Sequence, residues 1–414
     1  MDNVAGWGLV VASLVGFWLI LPRPCRQIAP LAAGALVLLA HHVLGYINIV
    51  SGPLVFAKYD AWGFHLFAMK FANDPEALEW AVGTSIYKSL LLILYDWFGK
   101  SQWLGQNLSI FCFALSAAML VRIAWRLNIK HMVTLALLIL VYGLTPSGLI
   151  YGTIMLREPI MTLAFISGSA LALVALEQQS RLALMAAATC WLCMGLFHQV
   201  VLIFALVASL IVIIGYFLWF GRVSGKGVEG RPGLPSGLIP LGLFGLAGAG
   251  IFWLIPSTGG DNYFDMLFDS IPRSIALYRG ASESSLPITG YATTFNFDNW
   301  LNTLGSLVVS YFYYLGWPVT GDYTWAGTWV LMVGAVLRIA GLVLVAVFRI
   351  RDYRIWILLG LYFGLTLLWN VGTTNHGQAL RHHFMTDWVL ILCWAMVLRE
   401  WLAGRENRMP LSKQ

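Results

Sequence analysis

The feature that most constrains this chain is a succession of apolar runs, each near the roughly 20 residues that an α-helix needs to cross a bilayer. They fall at about 4–21, 29–49, 106–124, 131–148, 159–177, 182–197, 199–220, 236–256, 325–347, 355–371 and 384–402. Hydrophobic residues make up 59% of the 414 positions and charged residues 11%, against roughly 25% charged in soluble domains. No aqueous core can absorb that much apolar surface. The expectation is an all-α polytopic membrane protein of about eleven transmembrane helices. The first run resembles a signal sequence, but it has no basic residue before it and no small-x-small site after it, so it reads as a retained helix.

Lysine and arginine in short connections stay cytoplasmic. Arg23 and Arg26, Arg126 and Lys130, Arg181, Arg222 with Lys226 and Arg231, Arg349 with Arg351 and Arg354, and the tail with Arg399, Arg405, Arg408 and Lys413 all fall on one side when eleven runs alternate. That side reads as cytoplasmic, with the N-terminus outside and the C-terminus inside. The formal charge of +6 then belongs to the membrane, not to nucleic acid. Most of the acids, Asp60, Asp74, Glu158 and Asp387 among them, fall on the opposite side.

The single transmembrane domain is thus expected to carry an external loop at 50–105, a cytoplasmic loop at 222–235 and an external segment at 257–324. The apolar stretch 301–315 should enter the membrane or its interface without crossing, because one more crossing would carry Arg349, Arg351 and Arg354 outside. Two or three short helical pieces are expected in the first loop, at 60–71 with Asp60 as a cap, at 75–81 with Asp74 as cap and proline in the first position, and at 85–97 along the interface. Cys190 and Cys193 form a C-x-x-C, but it lies inside an apolar run and reads as packing.

Polar residues that can carry chemistry are few enough to name. Asp60 stands in KYDAWGFHLFAMKF with His65 and Lys70 behind it; a carboxylate there can serve as a general base on a sugar hydroxyl, or it can simply cap a helix whose apolar face is Phe64, Phe67, Ala68 and Phe71. Arg157 and Glu158 stand where the chain returns to the membrane after TPSGLIYGTIML. The arginine can grip a lipid phosphate at headgroup depth, or snorkel to water and pair with Glu158. NHGQALRHHFMTDW places His376, Arg381, His382, His383 and Asp387 at the outer mouth of the last helix. Adjacent histidines point apart on a helix, so an arginine site for a phosphate or sugar suits this segment better than a metal site. Arg338 lies mid-way along an apolar run and needs a partner or a watery cavity. His198 interrupts the junction of two runs and reads as a satisfied polar residue.

The order of these segments carries a resemblance. YDAWGFHLFA is followed by IYKSLLLILYDWFGKSQWLGQNLSIF, by a helix ending VRIAWRL, by TPSGLIYGTIMLREPI, and much later by YYLGWPVTGDYTW and GQALRHHFMTDWVLILCWA. Over roughly residues 50–180 and 300–400 the chain resembles the C-type (GT-C) membrane glycosyltransferase superfamily. That group includes protein O-mannosyltransferase-like and lipid A aminoarabinose transferase-like enzymes and the related bacterial polysaccharide polymerases. It differs from the commonest pattern in three ways: no second acid follows Asp60, the late motif reads RHHFMTD where an R-Y-x-L-P type is usual, and an extra helix precedes the loop.

The resemblance implies transfer of a hexose or pentose, on the extracytoplasmic face of a bacterial inner membrane, from a polyprenyl-phosphate or diphosphate (undecaprenyl-type) donor to a glycan or lipid-linked acceptor of the cell envelope. It implies Asp60 as the catalytic acid position and Arg381 as the late arginine; Arg157 joins Arg381 as a candidate for the lipid phosphate, with His65, Lys70, Glu158, His376, His382 and His383 as further substrate-binding candidates. No cofactor is expected; a divalent metal on His382, His383 and Asp387 is the lesser alternative. A repeat-unit polymerase of the same superfamily is the near alternative. A transporter or flippase of lipid-linked glycans is the alternative from another class, and it would need charged residues along a path through the bilayer.

Overall fold

A computed structural model describes residues 4–54, 60–223, 300–316, 325–348, 352–373 and 376–406. Among these residues the structure is helical and contains no strand. The helices are α1 (Val4–Ile20), α2 (Ile28–Val50), α3 (Asp60–Phe71), α4 (Thr84–Phe98), α5 (Gln102–Arg126), α6 (Met132–Leu144), α7 (Pro146–Tyr151), α8 (Glu158–Gln178), α9 (Arg181–Leu196), α10 (Gln199–Val223), α11 (Trp300–Leu315), α12 (Trp325–Val347), α13 (Tyr353–Gly372), α14 (His376–Phe384) and α15 (Asp387–Glu406). The apolar run expected at 236–256, and most of the segments at 222–235 and 257–324, lie outside the described residues.

Five stretches are long and apolar enough to cross a bilayer: Ile28–Val50, Gln102–Arg126, Glu158–Gln178, Gln199–Tyr216 and Gly327–Phe348. Val4–Ile20, Met132–Leu144, Arg181–Leu196 and Leu304–Leu315 are apolar but shorter. The outward faces are greasy. Leu36, Leu39 and Val43 on α2, Leu206 and Leu210 on α10, and Val333 and Val336 on α12 are all exposed, a surface that only lipid can cover at low cost. The chain is a multi-pass helical membrane protein.

At the centre of the bundle, α5 packs against α1, α2 and α8. It buries Gln106, Asn107, Ser109 and Ser116 among its apolar residues. Asn107 Nδ2 donates to Trp103 O at 2.8 Å and Ser116 Oγ to Cys112 O at 2.8 Å, so these two side chains find acceptors within their own helix. Lipid gives no hydrophobic drive between helices, and close approach through small residues takes its place. Gly168 of α8 shows this: a Cβ there would stand 2.6 Å from the ring of buried Trp191 on α9. A side chain at 168 would cost about 1–3 kcal/mol of overpacking.

Two interruptions shape one end of the bundle. The apolar run at 131–148 does not continue as one helix. It stops at Leu144, and Thr145 caps a new short helix by accepting from Gly148 N at 3.3 Å, with Pro146 in its first turn. Threonine at the cap followed by proline at the first helical position is a start signal that overrides the apolar period. The second interruption divides α13 from α15 and places α14 between them; α14 packs on α7, and Tyr151 Oη donates to Gly377 O at 2.9 Å.

In the first loop the expected 75–81 helix is reduced to a single 3-10 turn, Pro75–Ala77, still capped by Asp74. Helices α3 and α4 pack together through Phe64 and Tyr87, whose rings meet edge-on at 4.9 Å, and leave Trp62, Trp80, Trp97 and Phe98 exposed. The stretch expected at 301–315 is helical. It holds Leu301, Leu304, Val308 and Phe312 outward, while Ser310 Oγ donates to Asn370 Oδ1 of α13 at 2.9 Å.

At the far end of the bundle, Arg126 meets Glu177 at 2.9 Å, Arg354 meets Glu177 at 3.1 Å and Asp352 at 2.6 Å, and Arg399 donates to Leu127 O at 2.9 Å. Basic connections at 126, 354 and 399 therefore gather at one end. Helix α8 runs from this cluster at Glu177 to Glu158 at its other end, roughly 28 Å away at 1.5 Å per residue.

Candidate functional site

Glu158 opens α8 with Pro159 behind it. A carboxylate is favoured there by the helix dipole and by the unsatisfied N–H groups of the first turn. Two guanidiniums converge on it. Arg381 of α14 donates from Nε to Glu158 Oε1 at 2.6 Å, and its Nη2 lies 2.5 Å from the same oxygen. Arg157 lies with Nε 3.5 Å from that oxygen, while its Nη1 donates to Phe197 O at 2.8 Å. The remaining edge of Arg381 is taken by Asp60, whose Oδ2 accepts from Nη1.

Four candidates from three distant parts of the sequence thus meet in one charge cluster, with very unequal exposure. The Glu158 side chain is 3% exposed, Arg381 14% and Asp60 58%. Asp60 stands at the first position of α3, and its carboxylate is committed to an ion pair across the site. Burial lowers the Arg157 guanidinium from its ordinary range, partly offset by the Glu158 charge. Arg381 is shifted the other way, because the charges of Glu158 and Asp60 outweigh its burial.

Behind Arg381 stands an aromatic stack. The His382 ring lies on Trp369 with centroids 3.8 Å apart and planes 11° apart, and Thr373 Oγ1 lies 3.0 Å from His382 Nδ1. On Trp369 as well, His198 stands edge-on at 4.5 Å. His198 belongs to the break between α9 and α10, and that same break frees Phe197 O for Arg157. The interruption that His198 marks in the sequence is therefore what presents an acceptor to the site. Trp369, Tyr151 and Phe197 O were not legible as site residues: two are aromatics in apolar surroundings and the third is a backbone atom.

The other candidates lie elsewhere. His65 faces α4, with Nδ1 2.9 Å from Tyr95 Oη, and burial lowers its pKa. Lys70 is exposed at the opposite end of α3, over the Phe71 ring at 4.9 Å. His376 is buried at the first position of α14. Nε2 of His383 donates to Tyr314 O at 2.7 Å, and its Nδ1 is 3.9 Å from Asp387 Oδ1.

Asp387 belongs to a second, deeper network. Its Oδ1 accepts from Arg338 Nε at 3.1 Å and its Oδ2 from Ser147 Oγ at 2.8 Å, while Arg338 Nη1 donates to Leu315 O at 3.1 Å. The partner that a mid-helix arginine requires is therefore Asp387. A small cleft opens beside the pair, between Val141 and Thr145 of the α6 end, Leu337 of α12, and Leu390 and Trp394 of α15.

Among the described residues, no group of three or more His, Cys, Asp or Glu side chains is placed to hold a metal ion. The class of protein that the described residues define is a helical multi-pass membrane bundle, with a charge cluster at the Glu158 end of α8. No family model, no curated protein and no solved structure matches the chain.

Proposed function

We propose that this protein is a C-type membrane glycosyltransferase that transfers a sugar from a polyprenyl-phosphate-linked or diphosphate-linked donor at the extracytoplasmic face, building a cell-envelope glycan. The observation that carries the reading is the convergence of Asp60, Arg157, Glu158 and Arg381. The order of motifs along the sequence supports it independently. In this reading the chain crosses the membrane about eleven times, with the arginine cluster of Arg126, Arg354 and Arg399 in the cytoplasm and the Asp60 end outside.

The chemistry is a displacement at the anomeric carbon. An acceptor hydroxyl gives its proton to an Asp60 carboxylate oxygen, and the hydroxyl oxygen forms a bond to the anomeric carbon. The bond from that carbon to the phosphate oxygen breaks, and its electron pair leaves with the lipid phosphate. Arg381 and Arg157 stabilise the charge that develops there. Glu158 holds the two guanidiniums; it does not touch the sugar. The His382–Trp369 stack fixes α14 behind Arg381.

Polymerisation of diphosphate-linked repeats would use the same groups. A flippase needs a polar path through the bundle, whereas among the described residues the mid-helix Arg338 is paired with Asp387, and the two also bond Leu315 O and Ser147. The test is glycan product in cells that carry Asp60→Ala or Arg381→Ala. Loss of product in both is expected, and full product from both would sink the assigned site. Movement of lipid-linked precursor across liposomes containing the purified protein, without transfer, would establish the transporter instead.

A further inference from the structure

We propose that Asp60 is the resident occupant of an anion seat on Arg381, and that the phosphate of the donor takes this seat and thereby releases Asp60 as a free base. The identity of the ligand rests on the glycosyltransferase reading; the displacement itself rests on the geometry of the cluster.

Two carboxylates share Arg381, and they are not equivalent. Glu158 faces both Nε and Nη2, is 3% exposed and sits at a helix N-terminus. Removing it would leave two arginines without their buried counter-charge. Asp60 engages Nη1 alone and is 58% exposed, so a rotation of its side chain returns it to water without moving a helix. Exposed ion pairs are weak and exchange readily. A phosphate offers the same kind of oxygen acceptor with more charge, and a guanidinium edge is the group that receives either.

The charge balance agrees. Arg157 and Arg381 against Asp60 and Glu158 make a neutral quartet, which has no net attraction for an anion. With Asp60 turned away the remaining three carry one net positive charge, and a phosphate neutralises it. Donor capacity is also left over: the buried Arg157 Nε comes no closer than 3.5 Å to Glu158 Oε1 and makes no hydrogen bond among the described residues.

Exchange of one anion for another couples binding to catalysis. Before the donor arrives the Asp60 Oδ2 that would take the proton is engaged by a guanidinium. Once the phosphate holds Arg381, the freed carboxylate stands beside the reacting centre. Donor therefore precedes acceptor, and the base is armed only when a sugar phosphate is seated.

The test uses the full chain in lipid nanodiscs, with farnesyl phosphate as probe and farnesol as the uncharged control. Asp60→Asn should bind farnesyl phosphate roughly tenfold more tightly than wild type, the size expected for removing one competing charge-assisted contact. Arg381→Gln should bind it at least tenfold more weakly, and farnesol should not distinguish the three proteins. In the wild type, farnesyl phosphate should raise labelling of the Asp60 carboxylate by a water-soluble carbodiimide, read by peptide mass spectrometry. If the wild type binds the probe but Asp60→Asn binds it no better, or if Asp60 labelling does not change, the displacement is wrong while the glycosyltransferase reading stands. If no protein binds farnesyl phosphate better than farnesol, the ligand class fails and both proposals fall.

Discussion

Arg338 on α12 donates from Nε to Oδ1 of Asp387, the first residue of α15, at 3.1 Å, and the two side chains are 3% and 11% exposed. This pair sits where both interrupted segments meet, because Ser147 of α7 donates to the same carboxylate and His383 of α14 stands 3.9 Å from it.

Breaking one half of such a pair leaves a charge buried alone, which costs about 3–5 kcal/mol, whereas replacing both halves by apolar groups is far milder. Asp387→Ala should therefore lower the thermal midpoint of the detergent-purified protein sharply, and Arg338→Met with Asp387→Leu should recover most of the loss. A double variant that melts no higher than Asp387→Ala would show that the pair is not the unit of stability.

Removing a positioned general base typically costs on the order of 10²–10⁴ in rate. Asp60→Ala is expected to fall in that range in an in vitro transfer assay, and Arg381→Ala to fall as far or further. Groups acting on one transition state are not additive, so the double variant should be little slower than the worse single one. Lys70→Ala, at the far exposed end of α3, should stay within about twofold of wild type.

Asp352 caps α13, accepting from Arg354 N at 3.0 Å and pairing with the Arg354 side chain at 2.6 Å. Burial opposes its charge, but the Arg354 contacts prevail and hold its carboxyl below the ordinary range. A depressed folded pKa means that the stability it adds is present above the unfolded value of about 3.9 and is lost as pH falls below it. The melting temperature of wild type should decline through that window more steeply than that of Asp352→Asn. Parallel curves would remove Asp352 from the account.

Single cysteines at residues 319–323, in a background without the native cysteines, should react in intact spheroplasts with a thiol reagent that cannot cross the membrane. Reaction only after the membrane is opened would place that stretch in the cytoplasm. It would then make 301–315 a crossing helix and reverse the orientation assigned to the segments after it.

Charge in this chain is scarce, which is why individual candidate residues stand out in the sequence. Asp60, Arg157, Glu158 and Arg381 each stand out against apolar surroundings, and the basic connections give the side of the membrane expected for them. Their grouping was not legible: Glu158 and Asp60 lie 223 and 321 positions from Arg381, and no local period reports a contact over that distance. For the same reason Arg338 could be read as needing a partner, but Asp387 could not be chosen for it. His383 is set apart from its neighbour His382 by the direction of a helix face, and Lys70 from Asp60 by the length of α3. The break at Thr145 was masked because an apolar run looks continuous whether or not a cap and a proline divide it.

The contact between Asp60 and Arg381 closes across 321 residues of chain. At the usual pace of synthesis, about 5–20 residues per second, the carboxylate leaves the ribosome roughly 16–64 seconds before its partner does. During that interval the membrane holds most of the helices with no completed charge cluster among them. The charge cluster can therefore be completed only once the segment around residue 381 has been translated.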